Sequence, residues 1–181
     1  MNTAPVLKNN QILLREPNKS DIHDRKILGM NLECARMIGS EFDKVKEFTD
    51  DDALKWYTRC LKHPCKWIIE YSGQCIGVVG LRPISDDNKA KFSIEIYDQT
   101  LYGKGIGTEV TNLVLKYAFQ EKLYHKVFLR VLDYNKRGIA VYEKCGFVIE
   151  GIDREGALIQ GQYHSDIYMG ILKTEYEQIY K

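Results

Sequence analysis

The stretch Tyr102-Gly-Lys-Gly-Ile-Gly107 restricts the fold more than any other part of the chain. It follows an alternating run, Lys89 to Asp98, in which Phe92, Ile94 and Ile96 share one face and Ser93, Glu95 and Tyr97 share the other, the period of a strand. Immediately after it, Val110, Leu113, Val114, Tyr117 and Ala118 recur at the spacing of one buried helix face. A strand that turns through glycines into a helix leaves backbone N–H groups free at the helix N-terminus, where the helix dipole also favours anions. Glycine suits that position because a missing Cβ permits unusual φ/ψ and lets phosphate oxygens approach the amides. The turn therefore predicts an anion cradle from Gly103 to Thr108, with Lys104 as a flanking positive charge.

Two common nucleotide patterns do not fit this turn. A Walker loop needs Gly-Lys followed by Ser or Thr, and Lys104 is followed by Gly105. The dinucleotide fingerprint Gly-x-Gly-x-x-Gly fails at Thr108, and Leu132-Asp133 lies too far downstream to supply its acid.

Around the turn the chain reads as mixed α/β without internal repeats. Gln11 to Glu16 is a short strand closed by Pro17, and Ser20 or Asp21 is placed to cap a first helix. Thr49 with Asp50, Asp51 and Asp52 caps a second helix through Trp56 and Cys60, ending near His63-Pro64. Lys66–Tyr71 and Gln74–Leu81 form a hairpin about Ser72-Gly73, and Lys89–Asp98 is the fourth strand. Lys126–Leu132 is the fifth strand, Lys136–Cys145 a short helix, and Phe147–Arg154 and Tyr163–Leu172 are the last strands. At 181 residues, one domain over 1–181 is expected.

Composition excludes several classes of function. Lys and Arg number 26 against 25 acids, with no long run of one sign, so no nucleic-acid partner is expected. The longest apolar run, Ile76 to Leu81, is far too short to span a bilayer, and Met1 to Ser20 has no signal-peptide core; a cytoplasmic location without membrane association is the expectation. The cysteines, Cys34, Cys60, Cys65, Cys75 and Cys145, are odd in number and irregular in spacing, which predicts reduced thiols. Cys60, His63 and Cys65 match no zinc module, so no metal is expected.

A second segment, Asn135-Lys-Arg-Gly-Ile-Ala-Val-Tyr-Glu-Lys-Cys-Gly-Phe147, follows the next strand at the distance of one α/β crossover. With Tyr102-Gly-Lys-Gly-Ile-Gly-Thr-Glu109 it resembles the paired cofactor motifs of the GNAT superfamily of acetyl-CoA-dependent N-acetyltransferases. The resemblance runs from Ile12-Leu-Leu-Arg-Glu-Pro17 to Met169-Gly-Ile-Leu-Lys173 and is nearest to the branch of ribosomal-protein N-terminal and spermidine acetyltransferases. It implies a mostly antiparallel, twisted sheet splayed between its fourth and fifth strands, with the pantetheine arm of acetyl-CoA between them.

By the same resemblance, backbone groups of Ile96, Tyr97 and Asp98 pair with pantetheine, and one N–H polarises the thioester carbonyl. Amides of Gly103, Lys104, Gly105, Ile106, Gly107 and Thr108 hold the pyrophosphate, Asn135 binds the pantetheine arm or caps its helix, and Lys144 lies near the phosphates. Tyr142 is the proton donor to the departing thiolate, and Glu95 is the carboxylate best placed to act as general base. His125 and His164 have suitable ordinary pKa values but nothing else to mark them as catalysts.

Two departures stand out: Gly138 where relatives usually carry Ala, and Asp166 one residue later than the acid of their Gly-x-Tyr-x-Asp. The reading is an N-acetyltransferase acting by direct attack in a ternary complex, as a monomer or homodimer. Its acceptor is a primary amine: a protein N-terminus, polyamine, aminoglycoside or amino sugar. A noncatalytic acyl-CoA-binding regulatory module is the alternative and has no need of Tyr142. Acceptor choice is expected to reside in Gly29–Pro64 and Gly151–Ser165.

Overall fold

Period-two alternation in the central strands produces a sheet that is apolar on both faces. In the strand Lys66–Tyr71, Trp67 and Ile69 enter the larger core cluster and Ile68 the smaller one on the opposite face. The structure is a computed structural model that describes residues 4–40, 47–63, 65–84 and 86–180. Its strands are β1 (Leu7–Lys8), β2 (Ile12–Arg15), β3 (Lys66–Tyr71), β4 (Gln74–Ile84), β5 (Lys89–Ile96), β6 (Lys126–Leu132), β7 (Val148–Ile159) and β8 (Gln162–Leu172). They lie in one sheet in the order β1-β2-β3-β4-β5-β6-β8-β7, with every neighbouring pair antiparallel except β5 and β6.

Helices cover both faces. Residues of α4 (Ile106–Lys116), α5 (Lys136–Lys144) and α6 (Lys173–Ile179) enter the larger cluster, with Val110, Val114, Tyr142 and Tyr176 buried in it. On the other face lie α1 (Ser20–Leu28), α2 (Leu32–Met37) and α3 (Asp50–Leu61), whose Cys34, Trp56 and Cys60 pack on Ile68, Val78 and Tyr97. Thr49 caps α3 as the sequence predicts, with reciprocal bonds between Thr49 and Asp52. The β3–β4 hairpin turns through Ser72 and Gly73, both at positive φ, the combination that matches the twist of the flanking strands.

The structure revises several boundaries. Leu7–Lys8 forms a strand that the sequence does not announce, so the splayed strands are the fifth and sixth, β5 and β6. Strand β5 ends at Ile96, two residues early, because Asp98 opens a 3₁₀ turn by accepting from the Thr100 amide. Strand β4 runs on through Pro83, which is tolerated because β3 ends opposite Gly80 and no neighbour there needs the missing N–H. Strand β7 continues to Ile159, five residues past Arg154. The expected second-helix terminus falls at Leu61, and Pro64 lies outside the described residues.

Neither Ser20 nor Asp21 caps α1. Asp21 is fully buried and accepts from Arg15 Nη1 at 3.0 Å, Arg15 Nη2 at 2.7 Å and the Asn18 amide at 2.7 Å, pinning the start of α1 to β2. Glu70 of β3 holds the same guanidinium through Nε, and these carboxylates push the Arg15 pKa upward. Replacing Asp21 removes the buried carboxylate that holds both terminal nitrogens of Arg15 and leaves Glu70 as the guanidinium's remaining carboxylate partner among the described residues. Asp21→Asn is therefore expected to lower the stability measured by urea denaturation by about 3–5 kcal/mol, whereas breaking the exposed Lys26–Asp50 pair is expected to change it by less than about 1 kcal/mol.

Candidate active site

Strands β5 and β6 pair only over Lys89–Lys91 and Lys126–Phe128. Beyond that point β5 stays bonded to β4 as far as Ile96, and β6 stays bonded to β8 as far as Leu132. Each strand keeps its outer partner and loses the inner one, so a gap opens with main-chain edges on both sides. The Tyr97 amide donates to Ile76 O across β4 at 2.8 Å. Strand alternation therefore turns the N–H of Ile96 away from β4, toward the gap.

Gly77 keeps that edge in place. A Cβ at this position would run into the Glu95 carbonyl oxygen, so only glycine lets β4 approach β5 so closely at the end of the paired segment.

Beside the unpaired end of β5 lies a cleft of about 360 Å³ walled by β5, the start of α4, one side of α5, and Cys34, Met37 and Ile38 at the end of α2. The glycine turn enters α4 through Gly105 at φ 83°, after Gly103 at φ 78°, backbone that other residues rarely adopt. No described side chain caps α4, and the amides of Gly105, Ile106, Gly107 and Thr108 donate to no described residue. They are a cluster of free donors at the positive end of a helix, and Gly105 to Thr108 all line the cleft.

From α5, Tyr142 reaches the same cleft. Its ring is 9% exposed, held edge-on against Phe92 at 6.2 Å and Phe147 at 5.9 Å. The hydroxyl has no hydrogen-bond partner among the described residues, and burial pushes its pKa up to about 12, so it is a protonated donor at neutral pH. Ile94, Glu95, Ile96, Gly103, Asn135 and Lys144 line the cleft as well.

Other expected residues lie elsewhere or are already engaged. Tyr97 does not line the cleft; its side chain points into the smaller core and its carbonyl accepts from Asn31 Nδ2 at 2.7 Å. Asp98 and Lys104 are also absent from the walls, and the Lys104 amide is spent on Leu101 O. The Ile96 carbonyl accepts from the Tyr102 hydroxyl at 2.8 Å, which leaves its N–H as the group facing the gap. His125 is exposed, and His164 packs against Tyr134 near Asp133; neither lines the cleft.

Glu95 stands at a junction. A second cavity, about 330 Å³ and walled by residues of α1, α2 and α3, shares Cys34, Ile38 and Glu95 with the cleft. Trp56 Nε1 donates to the Tyr97 hydroxyl at 2.9 Å, and that hydroxyl donates to Glu95 Oε2 at 3.2 Å, so Glu95 is aimed by a relay from the smaller core. Burial pushes the Cys34 thiol up to about 12, keeping it a neutral thiol and a poor nucleophile at the same junction.

Sequence reasoning missed Arg137, which lines the cleft, stacks over Tyr102 at 3.9 Å and pairs with Glu33. Its place inside the Asn135 segment was a usable signal. It also missed Arg25, whose signal was a charge on the inward stripe of α1, four residues after buried Asp21.

Asn135 caps α5, accepting from the Gly138 amide at 2.9 Å while its Nδ2 reaches Met37 O at 3.4 Å. A Cβ on Gly138 would lie 2.9 Å from both terminal atoms of that side chain, so the glycine makes room for the cap. Gly138→Ala is thus expected to be near neutral, since a helix-propensity gain of about 1 kcal/mol is offset by a lost cap of about the same size. In an Asn135→Ala background the same replacement is expected to stabilise by about 1 kcal/mol. Urea denaturation of the four proteins reads the coupling, and equal effects in both backgrounds would overturn it.

Residues 11–148 match the acetyltransferase (GNAT) domain family. The chain is 32% identical over 112 residues to spermidine N(1)-acetyltransferase of Escherichia coli K12, covering 61% of this chain and 60% of the relative. It is 32% identical over 108 residues to Bacillus subtilis YdaF, provisionally named a ribosomal N-acetyltransferase, covering 59% of this chain and 58% of the relative. The matched stretch thus spans about three fifths of the length of these curated relatives. Among solved structures, the spermidine N-acetyltransferase of Vibrio cholerae in complex with CoA and spermine superposes with a TM-score of 0.76 at 28% identity, covering 93% of this chain and 99% of that one.

Proposed function

The chain belongs to the GNAT acetyltransferase family, and on that premise we propose that it transfers the acetyl group of acetyl-CoA to a primary amine by direct attack. The observation that carries this reading is one cleft containing both a cluster of unbonded amides at the α4 N-terminus and the unbonded hydroxyl of Tyr142. Free amides on a helix dipole suit a pyrophosphate, and the main-chain edge of β5 suits the amides of a pantetheine arm; the residues present fit the cosubstrate. Acetyl-CoA supplies the activated thioester.

Gly105 to Thr108 hold the pyrophosphate, and the Ile96 N–H polarises the thioester carbonyl. The amine enters from the second cavity and meets the thioester beside Glu95, the only carboxylate among the described residues lining both cavities. The amine nitrogen forms a bond to the carbonyl carbon while the carbon–sulfur bond breaks. Glu95, directly or through a water, accepts the proton lost by the amine, and Tyr142 gives its proton to the departing sulfur. Lys144 and Arg137 flank the phosphates. Protonated Cys34 takes no acetyl group, which favours a single transfer over an acyl-enzyme.

Calorimetric titration with acetyl-CoA is expected to show binding by the native protein and none when Gly105 and Gly107 are both replaced by Val. Tyr142→Phe is expected to leave acetyl-CoA binding intact and to lower kcat for amine acetylation by roughly 10²-fold, the usual weight of a general acid. A native protein that folds but does not bind acetyl-CoA would refute the proposal. Full kcat in Tyr142→Phe would remove the acid from Tyr142 alone.

A further inference from the structure

The second cavity carries a charge pattern that bears on the acceptor. Arg25, Arg59, His63 and Lys66 line it, and Glu95, at the junction with the cleft, is the only carboxylate among its described lining residues. None of the four basic residues forms an ion pair with a described residue.

Arg25 is the most constrained of them. It is 8% exposed, with its guanidinium carbon 4.0 Å from the Phe48 ring centroid and 4.1 Å from that of Tyr97. One terminal nitrogen, Nη1, donates to Gly29 O. Nε is buried without any hydrogen-bond partner, and Nη2 donates to no described residue. The Nε–Nη2 edge of a guanidinium is the side that receives a planar oxyanion through two parallel bonds. A buried cation with that edge unfilled is an arrangement that a ligand oxyanion completes.

Resting on the acetyltransferase reading above, the geometry points to an acceptor amine that also bears a compact oxyanion, a carboxylate or a phosphate. The anion sits on the free edge of Arg25, with Lys66 and Arg59 nearer the mouth, and the amine reaches Glu95 at the junction. A polyamine suits this cavity poorly: its second and third ammonium groups would face Arg25, Arg59 and Lys66, with Glu95 the only carboxylate among the described lining residues to receive them.

The test measures acceptor binding to the CoA-loaded full chain by ligand-observed NMR, so that it does not depend on turnover. Matched pairs differ in the anion alone: lysine against cadaverine, glycine against glycinamide, and glucosamine 6-phosphate against glucosamine, with spermidine as the polycation. At least one anionic member is expected to bind tenfold or more tightly than its partner and than spermidine; the amino-acid and sugar-phosphate arms separate carboxylate from phosphate. Arg25→Lys, which keeps the charge and loses the fork, is expected to weaken that ligand at least tenfold. So is the double variant Arg59→Gln/Lys66→Gln, at one exposed and one half-buried position, which leaves the fully buried packing alone. Acetyl-CoA affinity is expected to be unchanged in both.

Spermidine or the anion-free partners binding as well as or better than every anionic member would overturn the inference, as would unaltered anion affinity in both variants. Those results leave the cofactor site standing if acetyl-CoA still binds. Failure to bind acetyl-CoA strikes the cofactor reading instead.

Discussion

The structure depends on an unequal loyalty between strands. At the centre of the sheet β5 and β6 share three residue pairs and then separate, yet neither is left as a free edge on its outer side, because β4 and β8 continue to bond them. A sheet normally gains from every ladder it can close, so the separation persists only where other packing holds the strands apart. Here Tyr142, in ring contact with Phe92 and Phe147, and the start of α4 line the cleft beside the unpaired end of β5.

From that gap the rest of the site follows in order. The face of β5 carrying Phe92, Ile94 and Ile96 belongs to the larger core, and the face carrying Glu95 and Tyr97 belongs to the smaller one. One residue step along the strand thus moves from the larger core to the relay that runs through Trp56. The two cavities meet where β5 ends, and the helices α1 to α3 decide what reaches that point.

Local signals made half of this legible in the sequence. The glycine turn, the stripe of α4, the Thr49 cap and the Asn135 segment each depend on residues within a few positions of one another, and the structure places them as expected. What escaped depends on distant partners. Asp21 has the chemistry of a helix cap but is claimed by Arg15 of β2 and, through it, by Glu70. The Tyr97 backbone reads as a partner for pantetheine, but its N–H is spent on Ile76 O and its carbonyl on Asn31, far away in sequence. Gly138 reads as a weakening of α5, and the room it makes for the cap appears only once the Asn135 side chain is folded back. Arg25 has its meaning from two aromatic rings that no short-range pattern connects to it.

The cleft has an asymmetry of materials. Its donors at the head of α4 and along β5 are main-chain groups, which every sequence possesses as long as the backbone path and a few glycines are kept. The second cavity is written in side chains, each replaceable by a single base change. A scaffold built this way holds one recognition surface constant through drift while the other is free to diversify. Solved chains below 20% identity to this one, sharing its architecture at TM-scores near 0.8, show that the framework tolerates such divergence. Evolution can retarget the molecule without rebuilding the half that handles the shared reagent.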